Sequence, residues 1–346
     1  MVEYDQEMPG YVRRILDKQK AAKFIALRRM SELRHDRRQP ILVCVVRDEV
    51  ANLPEFLRHY RTVGIERFVF IDNASRDRSK EYLIEQPDVD LFYSSTKFDW
   101  YEKQAWINLV IKSYGYGRWY LVVDADELLV FDGCYERSLR DLVLVAEQRE
   151  IRRVRGILVD MYQTGSDWTD ASGRNNLFST YKNFDGVGYV ESPTPAMISV
   201  TGGVRARMLQ DPNGEGSRPE LTKYPLFHIR EGEVAANPHH LWPYHENFRS
   251  PRLVAMLHFK LTPAFRRKVA VAVSEQNYWN GSSEYRAYAQ WLDDASSFDL
   301  RASGTKRLGS VSDLISAGLI EEVNWTSSIL SQDIMLSSYR RQRAQS

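Results

Sequence analysis

Between residues 40 and 123 the hydrophobic positions fall into short runs that alternate with amphipathic stretches. The apolar run Ile41–Val46 is followed by a helical stretch at Leu53–Thr62, then Phe68–Ile71, a helical stretch after Asp77, Val89–Tyr93, a helix-like Tyr101–Tyr114 and Trp119–Val123. Strands alternating with helices predict βαβ units, and so an α/β fold with a mainly parallel central sheet flanked by helices. Crossovers of this kind are right-handed, which brings the C-terminal ends of these strands to one rim. The residues after the strands are polar: Arg47-Asp48-Glu49, Asp72-Asn73-Ala74-Ser75-Arg76-Asp77, Ser94-Ser95 and Asp124-Ala125-Asp126.

Ligands of open α/β sheets collect at that rim. Two carboxylates two residues apart, just after a buried strand, supply oxygen ligands of the kind Mg2+ or Mn2+ takes alongside substrate phosphates. An Asp-X-Asp alone says little in a chain with 46 acidic residues, where a solvated turn is the plain alternative. Neither G-x-G-x-x-G nor G-x-x-x-x-G-K-[ST] follows the first strand, which argues against a dinucleotide fingerprint and a P-loop. A metal held by acids is then the natural way to manage phosphate charge.

The remainder is less periodic. Residues 11–38 mix Ile15, Ala22, Ile25 and Met30 with charges and predict a helix ending near Pro40. Its basic residues, Arg13, Arg14, Lys18, Lys20, Lys23, Arg28 and Arg29, would permit peripheral docking on anionic lipid headgroups; packing on the domain or on a second subunit is the alternative. Residues 151–260 are irregular apart from a strand-like Val154–Met161, with loops at 165–176 and 211–220. Helical periodicity returns at Pro263–Tyr278 and Glu284–Leu292, and the tail holds a short apolar pattern, Val311–Ile320, before a polar end at Tyr339–Ser346. The expected division is a basic helical extension (1–39), a main domain (40–300, split into halves 40–135 and 136–300) and a helical tail (301–346).

Composition chiefly excludes. A chain of 346 residues, 43% hydrophobic and 27% charged, is ordinary for a globular protein long enough for a substantial core. Its net charge of +1 gives no reason to expect nucleic-acid binding. Two cysteines, Cys44 and Cys134, imply no disulfide framework and favour a reduced, cytoplasmic setting. No apolar run approaches the roughly 18 residues that span a bilayer, and the N-terminus lacks a signal-peptide core.

Three segments, Val45-Val46-Arg47-Asp48-Glu49-Val50-Ala51-Asn52-Leu53-Pro54-Glu55-Phe56-Leu57-Arg58-His59-Tyr60, Phe70-Ile71-Asp72-Asn73-Ala74-Ser75-Arg76-Asp77 and Val123-Asp124-Ala125-Asp126-Glu127-Leu128-Leu129, together resemble the family 2 glycosyltransferases. The likeness is to the bacterial family 2-like branch, which is similar to family 92. It extends over about residues 40–295 through Leu221–Phe227 with His239-His240, Ala255–Lys260, Glu275, Tyr278 and Glu284–Tyr288.

The resemblance implies a GT-A fold with a nucleotide-sugar half, an acceptor half and a DXD metal site. It implies that Arg47, Glu49 and Asp72 line the nucleotide pocket and that Asp124 and Asp126 form the DXD, with Asp126 the direct metal ligand. His258 matches the late histidine that completes metal or diphosphate binding, and a direct bond from it would favour Mn2+ over Mg2+. Read from the residues alone, Asp72 and Asp77 are also good helix caps, Glu49 suits a helix first turn, His258 could be a core histidine, and Lys260 could be a phosphate contact or surface-exposed.

The activity implied is inverting, metal-dependent transfer of a sugar from a UDP- or GDP-linked donor to a carbohydrate acceptor hydroxyl, in surface or capsular polysaccharide synthesis. The chain departs from the family where the acidic pair carrying the base should stand. Glu191, Asp211, Glu215, Glu220 and Glu231 remain candidates, with Asp211 and Glu215 preferred for their Gly-rich stretch. Trp168 and Trp242 are the expected acceptor contacts, since flat rings with polar edges suit sugars. A nucleotidyltransferase and a non-catalytic carbohydrate-binding protein on the same fold are the competing readings.

Overall fold

The computed structural model describes residues 7–29, 36–163, 177–209, 218–262, 265–276, 279–294 and 299–325. The chain begins with helix α1 (Gly10–Ala21) and strand β1 (Ile25–Arg28). It continues through β2 (Ile41–Val46), α2 (Leu53–Thr62), β3 (Phe68–Asp72), α3 (Ser79–Ile84), β4 (Val89–Tyr93), α4 (Trp100–Tyr114) and β5 (Arg118–Val122). From β2 to β5 the four strands lie within one residue of the bounds expected from the sequence.

The second half adds β6 (Glu127–Phe131), α5 (Leu139–Gln148), β7 (Arg153–Asp160), α6 (Leu177–Thr180), β8 (Asn183–Asp185), β9 (Tyr189–Pro193), β10 (Ile198–Gly202) and α7 (Gly203–Met208). Next come β11 (Thr222–Ile229), the hairpin β12 (Val234–Asn237) and β13 (His240–Trp242), a 3-10 turn (Tyr244–Phe248) and β14 (Arg252–His258). The last elements are α8 (Phe265–Glu275), α9 (Trp279–Asp294), β15 (Thr305–Arg307) and α10 (Ser312–Ser316).

Nine strands form one sheet in the order β1-β4-β3-β2-β5-β11-β7-β14-β6. β4, β3, β2 and β5 are mutually parallel, as the βαβ alternation predicts, and β7 runs parallel to β14. β1, β11 and β6 pair antiparallel with their neighbours, so the parallel block is extended by a mixed second half. Strands covered on both faces read as continuous apolar runs, and alternate residues divide between two layers. Leu42, Cys44 and Phe70 pack with Phe56 of α2, Leu83 of α3 and Leu142 of α5. Val43, Val69 and Ile71 pack with Trp106, Val110 and Ile111 of α4 on the other face. Cys44 and Cys134 are both buried and free.

Residues 11–38, expected as one helix, divide instead. The helix ends at Ala21, Ala22 turns extended, and Ile25–Arg28 pairs antiparallel with β4 as an edge strand. The β-branched and aromatic content of Phe24-Ile25 beside an open sheet edge outweighs helical periodicity there. α1 is docked rather than free: Val12 and Ile15 are fully buried among Val234, Ala236 and Trp242. Lys18 lies 3.2 Å from Asp99 and 2.5 Å from Glu102, so part of the basic face is neutralised by α4 and its cap. The tail expected to be helical contains a strand, β15, before α10, and residues 326–346 lie outside those described. Among the described residues no helix is long and apolar enough to cross a membrane.

One link organises the rim. β5 lies in the middle of the sheet and β6 at its edge, with β11, β7 and β14 between them, yet only Val123–Asp126 join the two, in a turn closed by Glu127 N donating to Asp124 O at 3.0 Å. The Asp124-Ala125-Asp126 triplet is that link. Its backbone is tied down at both ends, with Val123 N donating to Val43 O at 3.3 Å and Phe259 N to Asp126 O at 2.8 Å.

Beneath it, the parallel register of β7 and β14 sets Asp160 beside His258. Gly156 allows that pairing, because a Cβ there would lie 2.6 Å from Val254 Cγ2 and 3.1 Å from Val254 O. Gly156→Val should therefore lower unfolding stability by about 2 kcal/mol, the usual cost of overpacking, in urea denaturation followed by circular dichroism. Unchanged stability would show that the two strands yield without cost.

Candidate functional site

The rim sites grow from the strand ends. After β2, Asp48 adopts a left-handed conformation (φ 58°) and its carboxylate accepts Arg76 N at 2.6 Å and Asp77 N at 3.2 Å, which locks the loops after β2 and β3 together. Asp77 stands one residue before the N-cap of α3, Arg78, and its carboxylate accepts Ser79 N at 2.8 Å and Val50 N at 3.1 Å. Asp72 is fully buried, with one oxygen accepting Ser75 N at 3.1 Å and the other, Oδ2, without a hydrogen-bond partner. Burial raises its carboxyl above the ordinary range, with Ser75 pulling the other way. An unpartnered buried acceptor is costly unless something meets it.

The triplet brings its acids to a group of lysines. Lys103, one turn into α4, bonds Asp124 Oδ1, while Lys223 at the start of β11 lies 2.5 Å from Glu127 and 3.9 Å from Asp124. Burial pushes the Asp124 carboxyl up, but Lys103, Lys223 and His258 outweigh it and hold the group below the usual carboxylate range. Asp126 is likewise lowered, burial being opposed by Lys268 and His258. Its Oδ2 lies 3.9 Å from His258 Nε2 and 3.7 Å from Lys268 Nζ of α8.

His258 is positioned from behind. Its Nδ1 lies 2.6 Å from Asp160 Oδ1, and Arg205 Nε donates to Asp160 Oδ2 at 2.8 Å. Burial pushes the Asp160 carboxyl up, yet Arg205 and His258 hold it well below the usual range, so it is ionised and accepts from an Nδ1–H. That leaves Nε2 facing Asp126. A carboxylate that orients a histidine in this way fixes which ring nitrogen faces a ligand.

The other expected residues are held in ion pairs. Arg47 contacts Glu275 of α8 at 3.3 Å, and Glu49 accepts from Asn52 at 2.7 Å and Lys268 at 2.8 Å. Lys260 pairs with Glu284 at 3.2 Å and sits over the rings of Tyr285 and Tyr288, so the surface-exposed alternative does not hold. Burial acts to raise Glu284, but Lys260 and Arg205 bring it down to about 2.

Trp242 packs beneath α1 with Val12 and Ile15. Among the candidate bases, Glu191 bonds Arg155, and Glu220 accepts Thr222 N at 2.7 Å, both contacts that hold strands in place. Asp211, Glu215 and Trp168 lie outside the described residues. Sequence reasoning missed Lys103, Lys223, Lys268, Asp160 and Arg205. Only Asp160, an acid closing the strand-like Val154–Met161, carried a signal, being one more polar residue at a strand end.

As a metal site the residues fit in part. Among the described residues no three His, Cys, Asp or Glu side chains converge. The Asp126–His258 separation of 3.9 Å is wider than the about 3.0 Å between neighbouring ligands of an octahedral ion with bonds of about 2.1 Å, so the two side chains would have to close on a shared ion, and Mg2+-type sites commonly take their other ligands from substrate phosphate and water.

No family model and no curated protein matches the chain. Among solved structures it is similar to S. aureus TarS 1–349 at 10% identity and a TM-score of 0.31, over 73% of this chain and 70% of that one. The match to the same TarS segment in complex with UDP spans 37% of each chain at 13% identity and a TM-score of 0.26. HddC from Yersinia pseudotuberculosis matches over 55% of this chain and 76% of its own at 9% identity and a TM-score of 0.29. At these scores the likenesses carry no argument about activity.

The buried Asp160 makes stability depend on pH. Its folded pKa is depressed, so the stability it contributes is present above the unfolded value of about 3.9 and is lost as pH falls through the folded value. Asp160→Asn, which leaves Arg205 only its longer pair to Glu284 at 3.6 Å, should cost about 3 kcal/mol at pH 7 in urea denaturation. The gap to the wild type should shrink below about pH 4. A gap independent of pH would contradict the assignment of an ionised Asp160.

Proposed function

We propose that the protein is a GT-A-type glycosyltransferase that moves a sugar from a UDP- or GDP-linked donor to a carbohydrate hydroxyl, with Mn2+ or Mg2+, by inversion. The observation that supports this most is Asp126 facing an oriented His258 on the rim where buried Asp72 keeps an oxygen unpartnered. An acid that accepts from a nucleoside, an oxygen–nitrogen pair for a divalent ion and nearby lysines form a set suited to a nucleoside diphosphate.

In this reading Asp126 and His258 hold the ion and Asp124 stays paired with Lys103. A divalent ion there supplies charge to the diphosphate oxygens as the leaving group departs. Asp72 binds the nucleoside, with Arg47 and Glu49 at the pocket's margin. Lys223 and Lys268 add positive charge where negative charge develops, which is where electrostatic stabilisation acts. Asp160 keeps Nε2 of His258 turned to the site. The acceptor's base is assigned to Asp211 or Glu215, and surface or capsular polysaccharide synthesis is the setting that the family 2 resemblance implies.

Calorimetry with UDP and GDP, with and without Mn2+, tests the reading. Metal-dependent binding is expected, and Asp126→Ala should weaken it at least about tenfold while preserving the circular dichroism spectrum. Nucleotide binding indifferent to metal would sink the proposal. In a panel of nucleotide sugars a transferase releases nucleoside diphosphate, whereas release of pyrophosphate would favour a nucleotidyltransferase.

A further inference from the structure

The lysines around the triplet are not equivalent. Lys103 and Lys223 have side chains only 16% and 6% exposed, and withdrawing either would strand a buried charge. Lys268 reaches in from α8 with its side chain 37% exposed, and its ammonium lies 2.8 Å from Glu49 and 3.7 Å from Asp126. The two acids it touches are more enclosed, at 13% and 17%; Glu49 has a second side-chain partner, and for Asp126 it is the backbone that is anchored. Glu49 accepts from Asn52, and the Asp126 carbonyl accepts from Phe259 N. Lysine suits a movable contact, being a compact charge with three donors on a flexible stem.

We propose that Lys268 is an exchangeable internal counter-ion: it neutralises Glu49 and Asp126 in the free protein, yields Asp126 to a divalent cation, and then binds the donor's diphosphate. The proposal rests on the donor-site reading above and goes beyond it by making one residue oppose the metal and favour the nucleotide. Before binding, the ammonium competes with the ion for the same carboxylate. After binding, the same charge lies beside the phosphates that the ion recruits. The two bound charges need no bond to change, only the partner of one ammonium.

The consequence is a pair of effects of opposite sign. In calorimetry, Lys268→Met should bind Mn2+ alone about three- to tenfold more tightly than the wild type, and should bind UDP in saturating Mn2+ more weakly by a similar factor. Lys268→Arg, which keeps the charge, should stay near the wild type in both. Lys20→Met, an equal change in net charge at an exposed α1 position, should alter neither. A purely structural Lys268 would weaken both binding events on removal. Equal or same-signed changes in Lys268→Met, with a wild type that binds both ligands, would falsify the exchange and leave the donor site standing. A wild type that binds no Mn2+ would remove the metal from the donor-site reading, and the exchange with it.

Discussion

The rim depends on how short the path is from β5 to β6. A chain that leaves the middle of a sheet and re-enters at its edge after the four-residue Val123–Asp126 link, through a turn in which Glu127 N donates to Asp124 O at 3.0 Å, requires the sheet between to curl. Four strand spacings of about 4.8 Å exceed what five steps of about 3.3 Å can span, so the link holds the two strand ends close and leaves no room for a loop that bulges into solvent. Asp124 and Asp126 then meet what β11 and β14 present, Lys223 and His258 respectively. The β7–β14 register then brings Asp160 against His258, and the approach at Gly156 keeps those strands close. The functional geometry follows from sheet order more than from any local motif.

Electrostatics completes what topology places. Gathering Asp124, Asp126, Glu127, Glu49 and Asp160 at one sheet end would be strongly unfavourable without compensation. Lys103, Lys223, Lys268 and Arg205 supply it, each from a different element. The pKa directions agree: Asp124, Asp126 and Asp160 are all held ionised against the effect of burial. Glu49 goes the other way, raised by burial and by Asp126, with Lys268 opposing, as expected where neutralisation is least complete. A site of fixed acids and cations is preorganised for a charged ligand, since few dipoles need to turn when one arrives.

How much of this was legible in the sequence follows the range of the interactions. β2 to β5 and their helices were readable because local periodicity is strong there, and β2, β3 and β4 each pair with a strand reached by a single crossover, while β5 returns to the far side of β2. β11 was not readable as a central strand, because Thr222–Ile229 sits between β5 and β7 only through pairings remote in sequence. β6 was hidden for the opposite reason, since Glu127–Phe131 follows the triplet so closely that it reads as the strand's continuation. Asp72, Asp124 and Asp126 were found as acids at strand ends, and His258 through the family 2 resemblance. Their partners Lys103, Lys268 and Arg205 lie on helices, where a basic residue has no pattern that separates a buried charge from a solvated one.

The two halves of the rim are also held by different physics. The side carrying Asp72 and Asp124 rests on a continuous apolar core beneath β2, β3 and β5, whereas α8 and α9 have their own cluster around Phe265, Val269, Tyr288 and Leu292. α8 reaches that side through Arg47–Glu275, Lys268–Glu49 and Lys268–Asp126. Apolar burial is insensitive to ions, while part-exposed ion pairs are individually weak and screened by salt. On the reading proposed, charge brought by a ligand acts on the contacts that hold α8 to the rim and leaves the sheet beneath them undisturbed. This division lets a rigid platform keep its acids in place while the helix that supplies their counter-charge responds to what binds.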